Sequence, residues 1–351
     1  MSNLTELLGR AVAEQASDIF IVAGFPLACK KNGSIVAESA ERLHPDESKA
    51  LLRDIYSLAA RDIERLLHSG DDDFSFAIPG LSRFRVSAYK QRGSLAAVIR
   101  VVSFGIPDHR ELHIPDEVMA VARYTKGLVL VTGPAGSGKS TTLACIVDAI
   151  NSERNGHIIT LEEPIEYLHR NKKSIVSQRE IELDTESYVK SLRACLRQAP
   201  NVILVGEMRD YETIKTAMTA AETGHLIISS LHTVGAANTI DRVIDVFPPS
   251  QQQQIRVQLS MLLQAVISQQ LVPTEGGDII PVFEIMNVNA AVRNMIRESK
   301  IHQLDAVIAQ GAADGMRSMD AALLDLYKRG VISRENALRY AANMDLLAKR
   351  L

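Results

Sequence analysis

One stretch restricts the fold of this chain more than any other. Gly133, Gly138, Lys139 and Ser140 fill the fixed positions of the pattern G-x-x-x-x-G-K-[S/T], with Pro134, Ala135, Gly136 and Ser137 between them and Thr141 following. Before the stretch, Gly127 to Thr132 is short and apolar in the manner of a buried strand; after it, Thr141 to Val147 reads as a helix. A glycine-rich loop between a strand and a helix N-terminus turns its N–H groups toward one point, where a polyphosphate binds. Lys139 then reaches the β- and γ-phosphates, and the Ser140 hydroxyl is placed to ligate Mg2+.

The rest of the chain has to accommodate that loop. Its 351 residues suit two or three domains, so a nucleotide-binding core leaves room for something else. A formal net charge of -3 supplies no basic field, which disfavours nucleic acid as the main partner. No apolar run is long enough to cross a bilayer, and Met1 to Arg10 lacks the basic start and apolar core of a leader, so a cytoplasmic protein is expected. Cys29, Cys145 and Cys195 are odd in number and far apart, unlike a zinc ribbon or a disulfide framework.

Periodicity divides the chain. Leu4, Leu7, Leu8 and Val12 share a helical face, and Ile19 to Ala23 reads as a strand. Leu27 to Lys31 and Ser34 to Ala37 flank Asn32-Gly33, a two-residue hairpin signal. Two helices follow, through Leu58 and through Leu66-Leu67, and then strands at Phe74 to Ile78, around Phe84 to Ala88, and at Ser94 to Val102. Residues 1–102 thus form a small α+β domain with an antiparallel sheet, and Gly105, Pro107 and Pro115 punctuate a linker at 103–115. Beyond it, strands at Leu128 to Thr132, Ile158 to Leu161, Val202 to Val205 and Leu226 to Leu231 alternate with helices, the pattern of a largely parallel sheet. Ile255 through Ile267 is expected as one long amphipathic helix, with two edge strands divided by Gly276-Gly277 and a helical remainder from Asn289.

Several polar residues stand where chemistry would need them. Val202 to Val205 ends in Gly206-Glu207; beside the loop strand, such a carboxylate comes close to Mg2+ and the γ-phosphate, where Glu207 can polarise the attacking water. Glu162, Glu163 and Glu166 crowd around Pro164, and like charges at that spacing call either for a cation, with Mg2+ held directly or through water, or for a solvated turn. His225 and His232 bracket the strand Leu226 to Leu231; His232, at its carboxyl end, can hydrogen-bond a γ-phosphate, while either histidine also fits a structural role. Arg83, Arg85, Arg92 and Arg100 concentrate late in the first domain, either as a polar sheet face or as guanidinium groups supplied to phosphate from outside the loop's own domain.

With these residues the chain resembles the hexameric secretion-superfamily ATPases of type II secretion and type IV pili, most closely the pilus-retraction branch that drives twitching. The resemblance runs through Ala16-Ser-Asp18, Asp73 to Phe76, Phe84 to Val86, the phosphate loop, Glu162 to Glu166, Val205 to Asp210, Thr219 to His225 and Ala291 to Glu298. The last of these is similar to a motif of the retraction branch, and the four-cysteine insert usual in the related assembly ATPases is missing from the sequence. Glu163 stands where the family commonly has Asp, Phe20 replaces a usual His, and Val292 and Met295 are conservative changes.

The resemblance implies a PAS-like α+β domain at 1–102, a RecA-like P-loop ATPase core at 116–288 and a helical C-terminal region at 289–351. It implies ATP and Mg2+ as cofactors and a homohexamer that reaches the membrane only through an inner-membrane pilus platform protein. Glu162 would belong to an acidic box, Glu207 would be the water-polarising acid, His225 and His232 would form a histidine box, and Arg85, Arg92 and Arg100 would sit nearest the nucleotide. Within the same superfamily an assembly or auxiliary motor is the competing reading. A GTPase would need Asn-Lys-x-Asp, and Asn171-Lys-Lys-Ser174 lacks the acid; a nucleotide-gated scaffold would leave Glu207 merely structural.

Overall fold

Residues 2–31, 33–102 and 105–351 are described by the computed structural model of the chain. They divide into two compact units, Met1–Gly105 with Glu166–Leu168, and Ile106–Ile165 with His169–Leu351.

The first unit opens with α1 (Ser2–Ala13), whose Leu4, Leu7, Leu8 and Ala11 recur at helical spacing and are buried. Strands β1 (Asp18–Ile21), β2 (Pro26–Lys31) and β3 (Ser34–Arg42) follow, with the expected hairpin residue Asn32 outside the described residues. Pro45 starts α2 (Pro45–Leu58), and the Glu47 carboxylate accepts the His44 N–H at 2.7 Å, so the first turn is capped from within. After α3 (Glu64–Ser69) the chain runs through β4 (Asp71–Ile78), β5 (Ser82–Gln91) and β6 (Ser94–Val102). The strands form one antiparallel sheet in the order β3-β2-β1-β6-β5-β4, a PAS-like arrangement covered by α1 and α2 through Leu8, Leu52, Ile55, Ile19 and Ile99.

The second unit begins earlier than its periodicity suggests. Ile106, Leu112 and Ile114 pack into its core and the Cys145 thiol donates to the Pro107 carbonyl, so the linker expected at 103–115 shrinks. Ser103 and Phe104 lie outside the described residues. A short α4 (Asp116–Met119) leads to β7 (Gly127–Thr132), then α5 (Lys139–Glu153), β8 (His157–Glu162), β9 (Ile175–Glu180), α6 (Tyr188–Cys195), β10 (Val202–Val205), α7 (Tyr211–Glu222), β11 (Leu226–Leu231) and α8 (Ala236–Asp245). The long helix expected through Ile267 stops sooner: α9 (Pro249–Leu262) gives way to β12 (Leu263–Pro273), which turns into β13 (Ile279–Asn287). Val266 and Ile267 are β-branched and fully buried, and pairing on both sides turns an apolar run that also fits a helix into an inner strand. Of the two strands expected at the edge, only β13 is there, since the order is β13-β12-β7-β11-β10-β8-β9.

The helices α10 (Ala290–Arg297), α11 (Leu304–Gln310), α12 (Met319–Lys328), α13 (Arg334–Arg339) and α14 (Met344–Ala348) complete the chain. No core boundary falls at residue 288, because Val292 and Ile296 of α10 share a cluster with Leu128 of β7 and Val266 of β12.

One buried ion cluster ties the first unit together. Asp72 accepts from Arg61 at 2.7 and 2.8 Å and from the Tyr56 hydroxyl at 2.9 Å. Burial pushes the Asp72 carboxyl up, but the hydrogen bonds and charges of Arg61, Tyr56 and Arg65 outweigh it and hold it below the usual range. Asp72→Asn should cost about 2 kcal/mol at neutral pH, because Arg61 and Tyr56 keep neighbours but lose the charge. A depressed folded value means that this contribution is present above the unfolded carboxylate range and fades as pH falls through the folded value, so the gap between wild type and variant in urea melts should close only below about pH 4.

Candidate active site

Strand β7 is buried along its whole length and delivers the loop at its carboxyl end, between β11 and β12. Gly133, Gly136 and Gly138 have φ of 146, 75 and 85°. For two of them the backbone angle is only part of the requirement. A Cβ on Gly133 would lie 2.2 Å from the Gln269 carbonyl oxygen, and one on Gly138 2.9 Å from Gln269 Nε2, whereas Gly136 faces open space. The loop therefore arches over Gln269 of β12, which is 2% exposed. Gln269 also accepts the Thr142 hydroxyl at 2.8 Å, fixing the first turn of α5. Ser137 Oγ is buried in the loop without a hydrogen-bond partner.

Lys139, the first residue of α5, folds back over the loop. Its Nζ donates to the carbonyls of Gly133 and Pro134 at 2.9 Å each and lies 3.4 Å from His232 Nδ1. On the far side of that ring, His232 Nε2 is 3.0 Å from Glu207 Oε1. An ammonium can only donate, so in this chain Nδ1 accepts and Nε2 carries the proton toward the carboxylate. Lys139, His232 and Glu207 thus form one line from the phosphate loop to the acid.

Glu207 is reached differently from what its motif suggests. Strand β11 separates β10 from the loop strand, and the acid arrives because Gly206 lets the chain end pass close to β8, its N–H donating to the Leu161 carbonyl at 2.8 Å. A Cβ on Gly206 would meet that oxygen at 3.1 Å and the Tyr188 hydroxyl at 3.2 Å. The second carboxylate oxygen of Glu207 pairs with Arg209 Nε at 2.7 Å. Glu162 ends β8 and accepts from Thr160 Oγ1 at 2.5 Å and Gln178 Nε2 at 3.1 Å. Burial, and then the charges of Glu163, Glu162 and Glu207, push the Tyr188 hydroxyl up, so it stays protonated among the acids.

The two histidines expected as one box stand apart. His225 precedes β11 and hydrogen-bonds Thr223 Oγ1 and the Ala220 carbonyl, at the opposite end of the strand from His232. The arginines belong to the first unit. Arg85 and Arg100 are cross-strand neighbours, and Arg100 pairs with Asp18 at 3.1 Å, which accounts for a guanidinium beside Ala96 and Val102. Arg92 has φ of 47° and forms the β5–β6 turn with Gly93.

Three contributors were not singled out from sequence. Gln269 lies just past the helix expected through Ile267, where the sequence predicts an edge strand and marks no buried polar role. Glu180 pairs in register with Glu162 and accepts the Ile165 N–H at 3.1 Å, bracing the acidic turn; a lone acid closing a polar strand is a faint signal. The pattern of β9 itself, with Ser177, Gln178 and Arg179, gave no apolar alternation to follow.

A phosphate loop at the carboxyl end of a central parallel strand, with an acid from a nearby strand facing it, makes the second unit a RecA-like P-loop ATPase domain. Residues 2–306 match the family described as type II/IV secretion system protein. The type IV pilus retraction ATPase PilT of Pseudomonas aeruginosa is 44% identical over 336 residues, 95% of this chain and 97% of the relative. A twitching motility protein of Neisseria gonorrhoeae is 47% identical over 277 residues, 79% of this chain and 74% of the relative. A crystal structure of the pilus retraction motor PilT with bound ADP superposes with a TM-score of 0.90 at 43% identity, covering 99% of each chain. The chain belongs to the type II/IV secretion system protein family.

Gly133→Ala should weaken ADP binding at least tenfold, because the added methyl collides with the Gln269 carbonyl that the loop rests on. Gly136→Ala meets no neighbour and should show only the left-handed backbone penalty, about 1–2 kcal/mol in stability. Titration calorimetry and thermal melts on both variants compare the two costs.

Proposed function

We propose that this chain hydrolyses ATP to ADP and phosphate with Mg2+ as part of a cytoplasmic homohexamer that powers pilus retraction. The line Lys139–His232–Glu207 carries the reading, since it joins the residue that meets the γ-phosphate to the acid that would aim water at it.

Nucleotide phosphates would lie on the N–H groups of Gly133 to Thr141, with Lys139 exchanging its loop carbonyls for phosphate oxygens. The buried Ser137 hydroxyl, lacking a partner in the loop, is one more group suited to phosphate. Ser140 at the start of α5 and Glu162 at the end of β8 are hard oxygen donors of the kind Mg2+ takes alongside water and phosphate. Bound there, the cation neutralises charge on the phosphate oxygens. Glu207 accepts a proton from water as its oxygen bonds to the γ-phosphorus and the bond to the bridging oxygen breaks, and His232 holds both the acid and the phosphate side in register. Arg85, Arg92 and Arg100 are the guanidinium groups we assign to the phosphates in the assembled ring, whether from the same or a neighbouring subunit.

Among the described residues no helix is long and apolar enough to cross a membrane. We place the ring against a pilus platform protein of the inner membrane, as the names of the similar proteins suggest, with hydrolysis moving the two units of each subunit about the chain near residue 105. The names of the similar proteins, a pilus retraction ATPase and a twitching motility protein, support this assignment over an assembly motor.

Lys139→Ala should abolish measurable ATP binding, while Glu207→Gln should bind ATP normally and lose about 10²–10⁴-fold in turnover. Near-normal turnover in Glu207→Gln would transfer the role of base to another acid. Native mass measurement with ATP should give six copies, and a deletion strain should keep its pili yet fail to twitch; bald cells would point instead to an assembly motor.

A further inference from the structure

His232 owes its place to the three residues that follow it. The segment Thr233 to Gly235 leads directly into α8, whose N-cap is Gly235, with φ of 86° and no side chain to satisfy the first-turn amides. The N–H groups of Gly235 and Ala236 find their acceptors on the sheet instead. Ser268 Oγ of β12 accepts the Gly235 N–H at 2.9 Å, and Glu284 Oε1 of β13 accepts the Ala236 N–H at 2.8 Å. Ser268 and Glu284 are register partners, and Ser268 is in turn opposite Thr132, the last residue before the phosphate loop. Thr239 of α8 closes the row, its hydroxyl 2.7 Å from Thr233 Oγ1 and 3.5 Å from Thr132 Oγ1.

Glu284 does more than cap α8. Its other oxygen accepts the N–H of Met319, the first residue of α12, at 3.4 Å. One carboxylate therefore lies at the positive ends of two helices, α8 behind His232 and α12 in the C-terminal region. It is 5% exposed, and a charge so deeply placed is costly unless its partners are well aimed. Burial pushes the Glu284 carboxyl up, the two amides oppose this, and Asp305 and Asp320 add to the upward push.

We propose that Glu284 is a positioning residue for hydrolysis: by holding α8 and α12 at once, it sets the stance of His232 and makes that stance follow the C-terminal helices. The kinetic part rests on the function proposed above; the mechanical part stands on the shared carboxylate alone. Glu284→Gln keeps the size and one carbonyl but offers an NH2 to one of the two amides, and Glu284→Ala removes both acceptors.

The full-length protein, its Glu284→Gln, Glu284→Ala and His232→Ala variants and the Glu284→Gln/His232→Ala double variant would be compared in steady-state ATPase assays with Mg2+, in ADP titrations, and by amide hydrogen exchange. Glu284→Gln should lower kcat about tenfold or more while ADP affinity stays within about twofold, since misplacement of His232 leaves the phosphate loop intact. Added to His232→Ala it should lower kcat no further, because the group it positions is already gone. The amides of Ala236 and Met319 should exchange faster together in Glu284→Gln. Multiplicative losses in the double variant, or an unchanged kcat in Glu284→Gln, would overturn the positioning role. Faster exchange at only one of the two amides would overturn the link to α12. Should Glu284→Ala fail to fold, Glu284→Gln still decides both points. An inactive wild type would defeat the proposed function while leaving the exchange comparison to judge the link.

Discussion

The contact between Gln269 and the phosphate loop is the one on which the rest of the site depends. Its carbonyl and side chain occupy the space that Gly133 and Gly138 leave open, and its Oε1 holds Thr142 in the first turn of α5. A loop that wraps a polyphosphate in main-chain amides has little side-chain material of its own to keep its shape. Here the shape comes from below, from an inner strand that is itself paired on both sides, and Lys139 spans the loop from above to two of its carbonyls. The glycines are thus as much a packing requirement imposed by β12 as a conformational one.

From that base the site extends across the carboxyl ends of parallel strands. Side chains from β8, the segment after β10, and the segment after β11 converge because parallel strands all end on the same side of a sheet. The gathering of acids carries an electrostatic cost, met by neighbours rather than by distance: Thr160 and Gln178 donate to Glu162, Arg209 and His232 to Glu207, and Glu180 secures the turn at Ile165. Strand geometry also explains the fate of the histidines. Leu226–Leu231 carries no bend that could bring its two ends together, so His232 joins the acid while His225 braces the turn after α7.

Two of the first unit's arginines stand side by side on its sheet. Asp18, Arg100, Arg85 and Ser75 fall in one cross-strand row over β1, β6, β5 and β4, with the Asp18 carboxylate relieving the repulsion between the two guanidinium groups. Such a row keeps exposed charge in a fixed pattern on the sheet.

How much of this could be read in advance follows the range of the interactions involved. The phosphate loop, the strand before it and the helix after it were legible because glycines, an apolar run and a lysine–serine pair act within about a dozen residues of one another. The alternation of strands and helices from Leu128 to Leu231, β9 excepted, and the acid that follows β10 were legible for the same reason. Other features depend on partners distant in the chain. Leu263 to Ile267 is apolar enough for either a helix or a strand, and β7 and β13 make it a strand by pairing with it from both sides. Gln269 and Glu284 look like ordinary polar residues in sequence, and they acquire their roles only when folding sets the first against a helix 127 residues away and the second behind a helix 48 residues away. Local pattern could announce a phosphate-binding fold, but which side chains brace it rested on long-range packing, because a buried polar atom finds its partner in space and leaves no periodic trace in the chain.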